Sequence, residues 1–123
     1  MARRYNNKRI IKSIQTVPPR RLLPGMIVTF NYSEQGVMDP RPILLYLNTN
    51  PQTKTIEGLN MNYLNPTKLK KLFAVTDFKK AKVNETEDII NIKEEYFRIA
   101  YRSYKLTKLT SLKVTQINME FIQ

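Results

Sequence analysis

The chain has no cysteine and no histidine. Those absences exclude a zinc finger, a disulfide scaffold, a thiol nucleophile and every His-based triad. Glycine occurs only at Gly25, Gly36 and Gly58, so no Gly-rich loop can cradle a phosphate. No apolar run approaches the roughly 20 residues of a membrane span. The opening MARRYNNKRIIKSIQ has no continuous apolar stretch after its charges and does not read as a secretory signal. Acids are also scarce, with ten Asp and Glu against 21 Lys and Arg. Their only cluster, Glu85, Glu87 and Asp88, falls at a predicted helix start, where negative charge complements the helix dipole. Ser13, Ser33, Ser103 and Ser111 have no histidine to activate them. The reading is therefore non-enzymatic, with no catalytic residue, metal, cofactor or small-molecule substrate.

What is present is an ordinary globular balance in a small chain. The 123 residues, 41% hydrophobic, suffice for one domain with one modest core. Residues 1–21 read as a basic N-terminal arm with seven cations and no acid: Arg3, Arg4, Lys8, Arg9, Lys12, Arg20 and Arg21. A weak helix over 7–14 is compatible with Ile10, Ile11 and Ile14, and Pro18-Pro19 stops it. With only three isoleucines as anchors, the arm is expected to extend from the domain.

Residues 22–123 read as a single α+β domain. Pro24-Gly25 opens a first strand with Ile27, Val28, Phe30 and Tyr32. A breaker-rich loop follows. Asp39 is expected to cap this loop, and Asp39→Asn is expected to cost little. A second strand is expected over 43–49, and its continuous apolar residues, 43–47, suggest burial on both faces. A third strand over 55–64 contains Gly58, expected at a bulge or with positive φ. In its outer half Leu59, Met61 and Tyr63 alternate with Asn60 and Asn62, one face apolar and the other polar. Asn65 and Pro66 start a short helix. A long helix is expected over about 86–101, lined by Ile89, Ile92, Tyr96 and Ile99 on one side and by Phe97, Ala100, Tyr101 and Tyr104 on another. The run TSLKVTQI is a last strand. The expected architecture is a small bent antiparallel sheet or SH3-like barrel, with one long and one short helix. Its core should hold Ile27, Phe30, Ile43, Leu45, Leu47, Leu59, Met61, Leu72, Ile92, Tyr96 and Ile99.

Charge is the strongest signal. The net +11 gathers in the arm, in a second cluster that includes Lys68, Lys70, Lys71, Lys79, Lys80 and Lys82, and along Arg98, Arg102, Lys105, Lys108 and Lys113. Aromatic residues are interleaved: Tyr5, Phe73, Phe78, Tyr96, Tyr101 and Tyr104. Such surfaces attract phosphate backbones or acidic protein patches. The candidate partner- or phosphate-binding residues are Arg3, Arg4, Lys8, Arg9, Lys12, Arg20, Arg21, Lys70, Lys71, Lys79, Lys80, Arg98, Arg102, Lys105 and Lys108.

The segments PGMIVTFNY, DPRPILLYL, IEGLNMNYLNPTKLKKL and YRSYKLTKLTSLKVTQI, taken in order, resemble a family of small virion-associated proteins of large contractile-tailed bacteriophages. The matching positions are Pro24, Gly25, Asp39, Pro42, Gly58, Leu59, Asn60, Tyr63, Leu64, Arg102 and Tyr104, spanning residues 24–117. Family members carry a longer acidic and aromatic tail after the last strand. The resemblance implies a structural or assembly component of the tail, baseplate or neck. It would be assembled in the host cytoplasm, located in the virion, and would dock on other phage structural proteins. The alternative is a DNA- or RNA-binding accessory protein.

Overall fold

A computed structural model describes residues 3–5, 11–75 and 94–117. Over these residues it is an α+β domain: a six-stranded antiparallel sheet with two helices. The strands are β1 (Ile11–Thr16), β2 (Ile27–Tyr32), β3 (Ile43–Asn50), β4 (Thr55–Asn60), β5 (Tyr101–Lys105) and β6 (Leu109–Ile117). Helix α1 (Pro66–Val75) and helix α2 (Glu94–Ala100) lie between β4 and β5. The order across the sheet is β1-β6-β2-β3-β4-β5. No helix among the described residues is long and apolar enough to cross a membrane.

Local chemistry sets the turns. Pro24 and Gly25 occupy the centre of a turn closed by Met26 N–H on Leu23 O at 3.0 Å, and Gly25 takes φ 95°. That is type II geometry, which favours proline first and needs a residue tolerant of positive φ second. In the β3–β4 hairpin, Asn50 Oδ1 accepts from the backbone N–H groups of Gln52 and Thr53. At α1, Asn65 Oδ1 accepts from Lys68 N at 2.8 Å with Pro66 in the first turn, as the sequence predicts.

The sheet is buried on both faces. In β3, Ile43 and Leu45 point into one apolar cluster, and Leu44 and Tyr46 into a second. The first cluster lies under the helices, with Ile27, Leu59, Met61, Tyr63, Leu69, Leu72, Tyr96 and Ala100. The second gathers Val28, Phe30, Tyr32, Ile56, Tyr104 and Leu112. Ile27 and Phe30 therefore belong to different cores, because their spacing of three places them on opposite faces of a strand. Leu47 and Ile99 are partly buried against the first cluster, and Ile92 lies outside the described residues.

The second cluster requires strong curvature. β2 and β5 are three positions apart in the sheet, roughly 14 Å if it were flat. Yet the Tyr104 ring lies 5.1 Å from Phe30 and 4.9 Å from Tyr32, both edge-to-face. Lys105 N–H also donates to Tyr32 Oη at 3.0 Å. A three-residue 3-10 turn, Leu106–Lys108, then carries the chain from β5 to β6 beside β2.

Three sequence expectations are corrected. Ile11–Thr16 is a strand paired with β6, so the helix expected over 7–14 does not form across 11–14, and this part of the arm belongs to the sheet. Val17 is buried, and its N–H donates to Leu112 O at 3.1 Å. Pairing gives the backbone of Ile11–Thr16 partners that an isolated arm would lack. Second, the later helix ends at Ala100, and Tyr101 and Tyr104 lie on β5; residues 86–93 of the expected long helix lie outside the described residues. Third, Met61–Tyr63 forms a 3-10 turn instead of continuing the strand.

Gly58 does not have positive φ, and the bulge falls on the facing strand, where the register shifts between Tyr46 and Asn48. The requirement for glycine is steric. A Cβ at position 58 would sit inside van der Waals contact of Leu45 O and 3.1 Å from Leu44 Cγ. The nearest obstacle is ladder backbone, which cannot move aside. Gly58→Ala should therefore lower stability by more than about 2 kcal/mol, measured by urea unfolding. Deleting residues 1–17 removes β1, Val17 and Arg4, and should lower Tm by more than about 5 °C. An unchanged Tm in calorimetry would contradict the β1–β6 pairing.

Candidate binding groove and the buried carboxylate behind it

The site is built on a buried acid. Asp39, 1% exposed, has both carboxylate oxygens saturated. Oδ1 accepts from Arg4 Nε at 2.9 Å and from Arg41 N at 3.1 Å. Oδ2 accepts from Asn60 Nδ2 at 2.9 Å and from Asn62 Nδ2 at 2.8 Å. The second hydrogen of Asn60 Nδ2 goes to Tyr104 Oη at 2.8 Å, and Asn60 Oδ1 accepts from Asn62 N at 2.9 Å. Burial raises the Asp39 pKa, but the donations from Asn62, Asn60, Arg4 and Arg41 outweigh it and hold the carboxyl below its ordinary value. Burial also pushes the Tyr104 phenol well up. The polar side of the Asn60–Asn62 alternation is thus a sealed network, with no wet face.

Asp39 does cap its loop through Arg41 N, as the sequence suggests. The expectation that Asp39→Asn costs little is corrected, because the carboxylate also receives three side-chain donors.

The network positions a surface groove of about 550 Å³. Arg4 is held on Asp39, and Tyr5 N–H donates to Asn62 O at 2.5 Å. These contacts fix the segment that places Arg3 and Tyr5 on the groove wall. Tyr63, next to Asn62, forms part of the floor. Lys68 comes from α1, and Glu95, Arg98 and Ile99 come from α2. Lys68 Nζ lies 3.7 Å from Glu95, a loose and partly exposed pair worth about 0–1 kcal/mol. The Arg3 guanidinium sits 5.3 Å above the Tyr5 ring, and that of Arg102 sits 4.3 Å above the Tyr63 ring.

Of the sequence candidates, Arg3 and Arg98 share the groove, with Arg102 stacked behind its Tyr63 floor. Arg4 turns its Nε inward onto Asp39 and leaves its side chain 31% exposed. Lys105 pairs with Glu34 at 2.9 Å on another part of the surface; that hydrogen bond raises the Lys105 pKa and lowers that of Glu34. Arg20, Arg21, Lys70, Lys71 and Lys108 are exposed, with no ion-pair partner among the described residues. Lys12 lies on β1. Lys8, Arg9, Lys79 and Lys80, like the acids at 85, 87 and 88, lie outside the described residues. Lys68, Tyr63 and Asn65 complete the groove but were not among the candidates, since only the 3-10 turn brings them to Arg3 and Arg98.

A second concavity, about 510 Å³, is lined mainly by Pro18, Pro19, Leu22, Tyr46 and Leu106. Neither concavity contains a pair of carboxylates, and no cluster of three acidic residues fit to hold a metal occurs among the described residues. In comparisons with known proteins, the chain matches no family model, no curated protein and no solved structure.

Asp39→Asn should lower stability by about 2–3 kcal/mol, because it removes the charge facing Arg4 and gives the site a donor among donors. The folded pKa of Asp39 lies below its unfolded value. Its contribution is therefore complete above the ordinary carboxylate range and declines as pH falls through that range. Urea unfolding across acidic pH should show a steeper acid loss in the parent than in the variant. Equal acid slopes would contradict this assignment.

Proposed function

We propose that the protein is a non-enzymatic structural or assembly component of a tailed-phage particle, in the tail, baseplate or neck, that docks on acidic surfaces of neighbouring subunits. One observation carries the docking part. Asp39, Glu34, Glu57 and Glu95 each have a partner within the domain, while Arg20, Arg21, Lys70, Lys71 and Arg98 have no acidic partner among the described residues. A chain of net charge +11 therefore presents unmatched cations outward, and their mutual repulsion is relieved when a polyanionic partner binds. Placement in a phage particle, and in the virion, rests on the family resemblance.

The SH3-like barrel belongs to this reading. It is supported by the order β6-β2-β3-β4-β5, by the curl that brings Tyr104 onto Tyr32, and by the 3-10 turn between β5 and β6. A second reading, a nucleic-acid accessory protein, is favoured by the groove of Arg3, Lys68 and Arg98.

The test is incorporation. Tagged protein supplied during infection by the phage that encodes it should copurify with particles at fixed stoichiometry by quantitative mass spectrometry. The variant Arg20→Glu/Arg21→Glu/Lys70→Glu/Lys71→Glu changes only exposed side chains. It should keep its fold by circular dichroism and lose incorporation. Normal incorporation of that variant, or absence of the parent protein from particles, would overturn the proposal.

A further inference from the structure

We infer that the groove between the N-terminal segment, α1 and α2 binds the phosphodiester backbone of nucleic acid, with Arg3, Lys68 and Arg98 as its phosphate contacts. This rests on the second reading above and names its site. Three cations from three separate segments converge on one concavity that, among the described residues, holds a single carboxylate, Glu95. The Lys68–Glu95 contact is long and half exposed, so an incoming phosphate can replace Glu95 at little cost. Arg3 lies with its guanidinium over Tyr5, which uses the face of the group. Its N–H edge remains available for the forked contact that phosphate accepts. Arg102, stacked on Tyr63, adds positive potential behind the floor. Lys70 and Lys71, exposed on the same helix as Lys68, carry that potential beyond the groove, as a ligand longer than the pocket requires.

The walls favour a nucleic-acid backbone over an acidic peptide. An extended peptide gains much of its affinity by pairing its main chain with a sheet edge. Here the wall is a 3-10 turn, two helices and the non-strand segment Arg3–Tyr5, which offer no ladder. Asn65 Oδ1 is engaged in capping α1. Tyr63 is buried, so its ring cannot stack on a base. Recognition is thus by charge along a backbone, without base readout.

The experiment is fluorescence anisotropy of short labelled oligonucleotides, single-stranded and duplex, across a salt series. The parent should bind without sequence preference, with affinity falling steeply as salt rises. Arg3→Ala/Arg98→Ala, both exposed positions, should weaken binding at low salt by about tenfold or more. It should also flatten the log–log salt slope by roughly 0.7 per lost contact on single strands or 0.9 on duplex. Lys113→Gln, on β6 and away from the groove wall, should change affinity much less. Binding by the parent that the double variant leaves intact, or that Lys113→Gln weakens equally, would overturn the groove while leaving the nucleic-acid reading standing. No binding at low salt would overturn both. Displacement of the oligonucleotide by polyglutamate at equal charge would overturn the inference in favour of an acidic protein partner.

Discussion

A carboxylate cannot remain charged in a protein interior unless its lone pairs are filled, and Asp39 obliges three stretches of chain to fill them. The loop supplies Arg41 N, the N-terminal segment supplies Arg4, and the end of β4 with its 3-10 turn supplies Asn60 and Asn62. Through Asn60 the network reaches Tyr104 on β5, the ring that closes the curved face of the sheet. These donors lie 21 to 35 positions from Asp39 along the chain, apart from the local Arg41. One buried charge thus fixes where the loop, the N-terminus and the outgoing chain meet. The cost of stranding it penalises arrangements that do not bring them together.

The groove inherits its geometry from this arrangement. Arg3 and Tyr5 flank Arg4, and Tyr63 follows Asn62, so two walls of the groove are immediate neighbours of residues anchored on Asp39. The buried network faces inward, with one ion pair and neutral donors around a single carboxylate, while its flanking residues face outward and are cationic or aromatic. A side chain on the groove wall then needs little reorganisation to meet an anion, because its backbone is already held from behind. The remaining wall comes from α1 and α2, which the first apolar cluster seats on the sheet through Leu69, Leu72, Tyr96 and Ala100.

Sequence patterns carried the local features well. The Pro-Gly turn, the doubly buried β3, the Asn65 cap and the last strand follow from turn chemistry, apolar continuity and capping preference, each acting within a few residues. Features that depend on distant partners were not legible. β1 is hidden by a helical spacing, since Ile10, Ile11 and Ile14 fit a helix; the segment is a strand because β6 presents a ladder to it. β5 was absorbed into a helix because Phe97, Ala100, Tyr101 and Tyr104 fit a helical period; the strand wins because Tyr104 packs on Phe30 and Tyr32 from across the sheet. The Asn60–Asn62 alternation was correctly polar, but no local pattern can show that its partner is Asp39. The site is half legible: charge density marks Arg3, Lys68 and Arg98 in three separate clusters, while only the turn after β4 makes them neighbours of one another and of Tyr63.

The same logic explains why a strongly basic N-terminus need not be a loose tail. Left alone, β6 would present an unpaired edge beside β2, a template for unwanted pairing. β1 covers that edge, and the sequence places Lys12 on the strand that now forms the rim, a residue type that discourages further addition. Arg4, meanwhile, neutralises Asp39, the one acid buried among the described residues. The segment therefore acts through its backbone in the sheet and through a single guanidinium in the interior. Of its described cations, Arg3, Arg20 and Arg21 are left facing solvent. Arg3 stands at the groove and the other two lie beyond the end of β1, so the arm's outward charge is divided between two places on the domain surface. A partner that engages both must follow the surface of the folded domain, because the strand between them is held in the sheet.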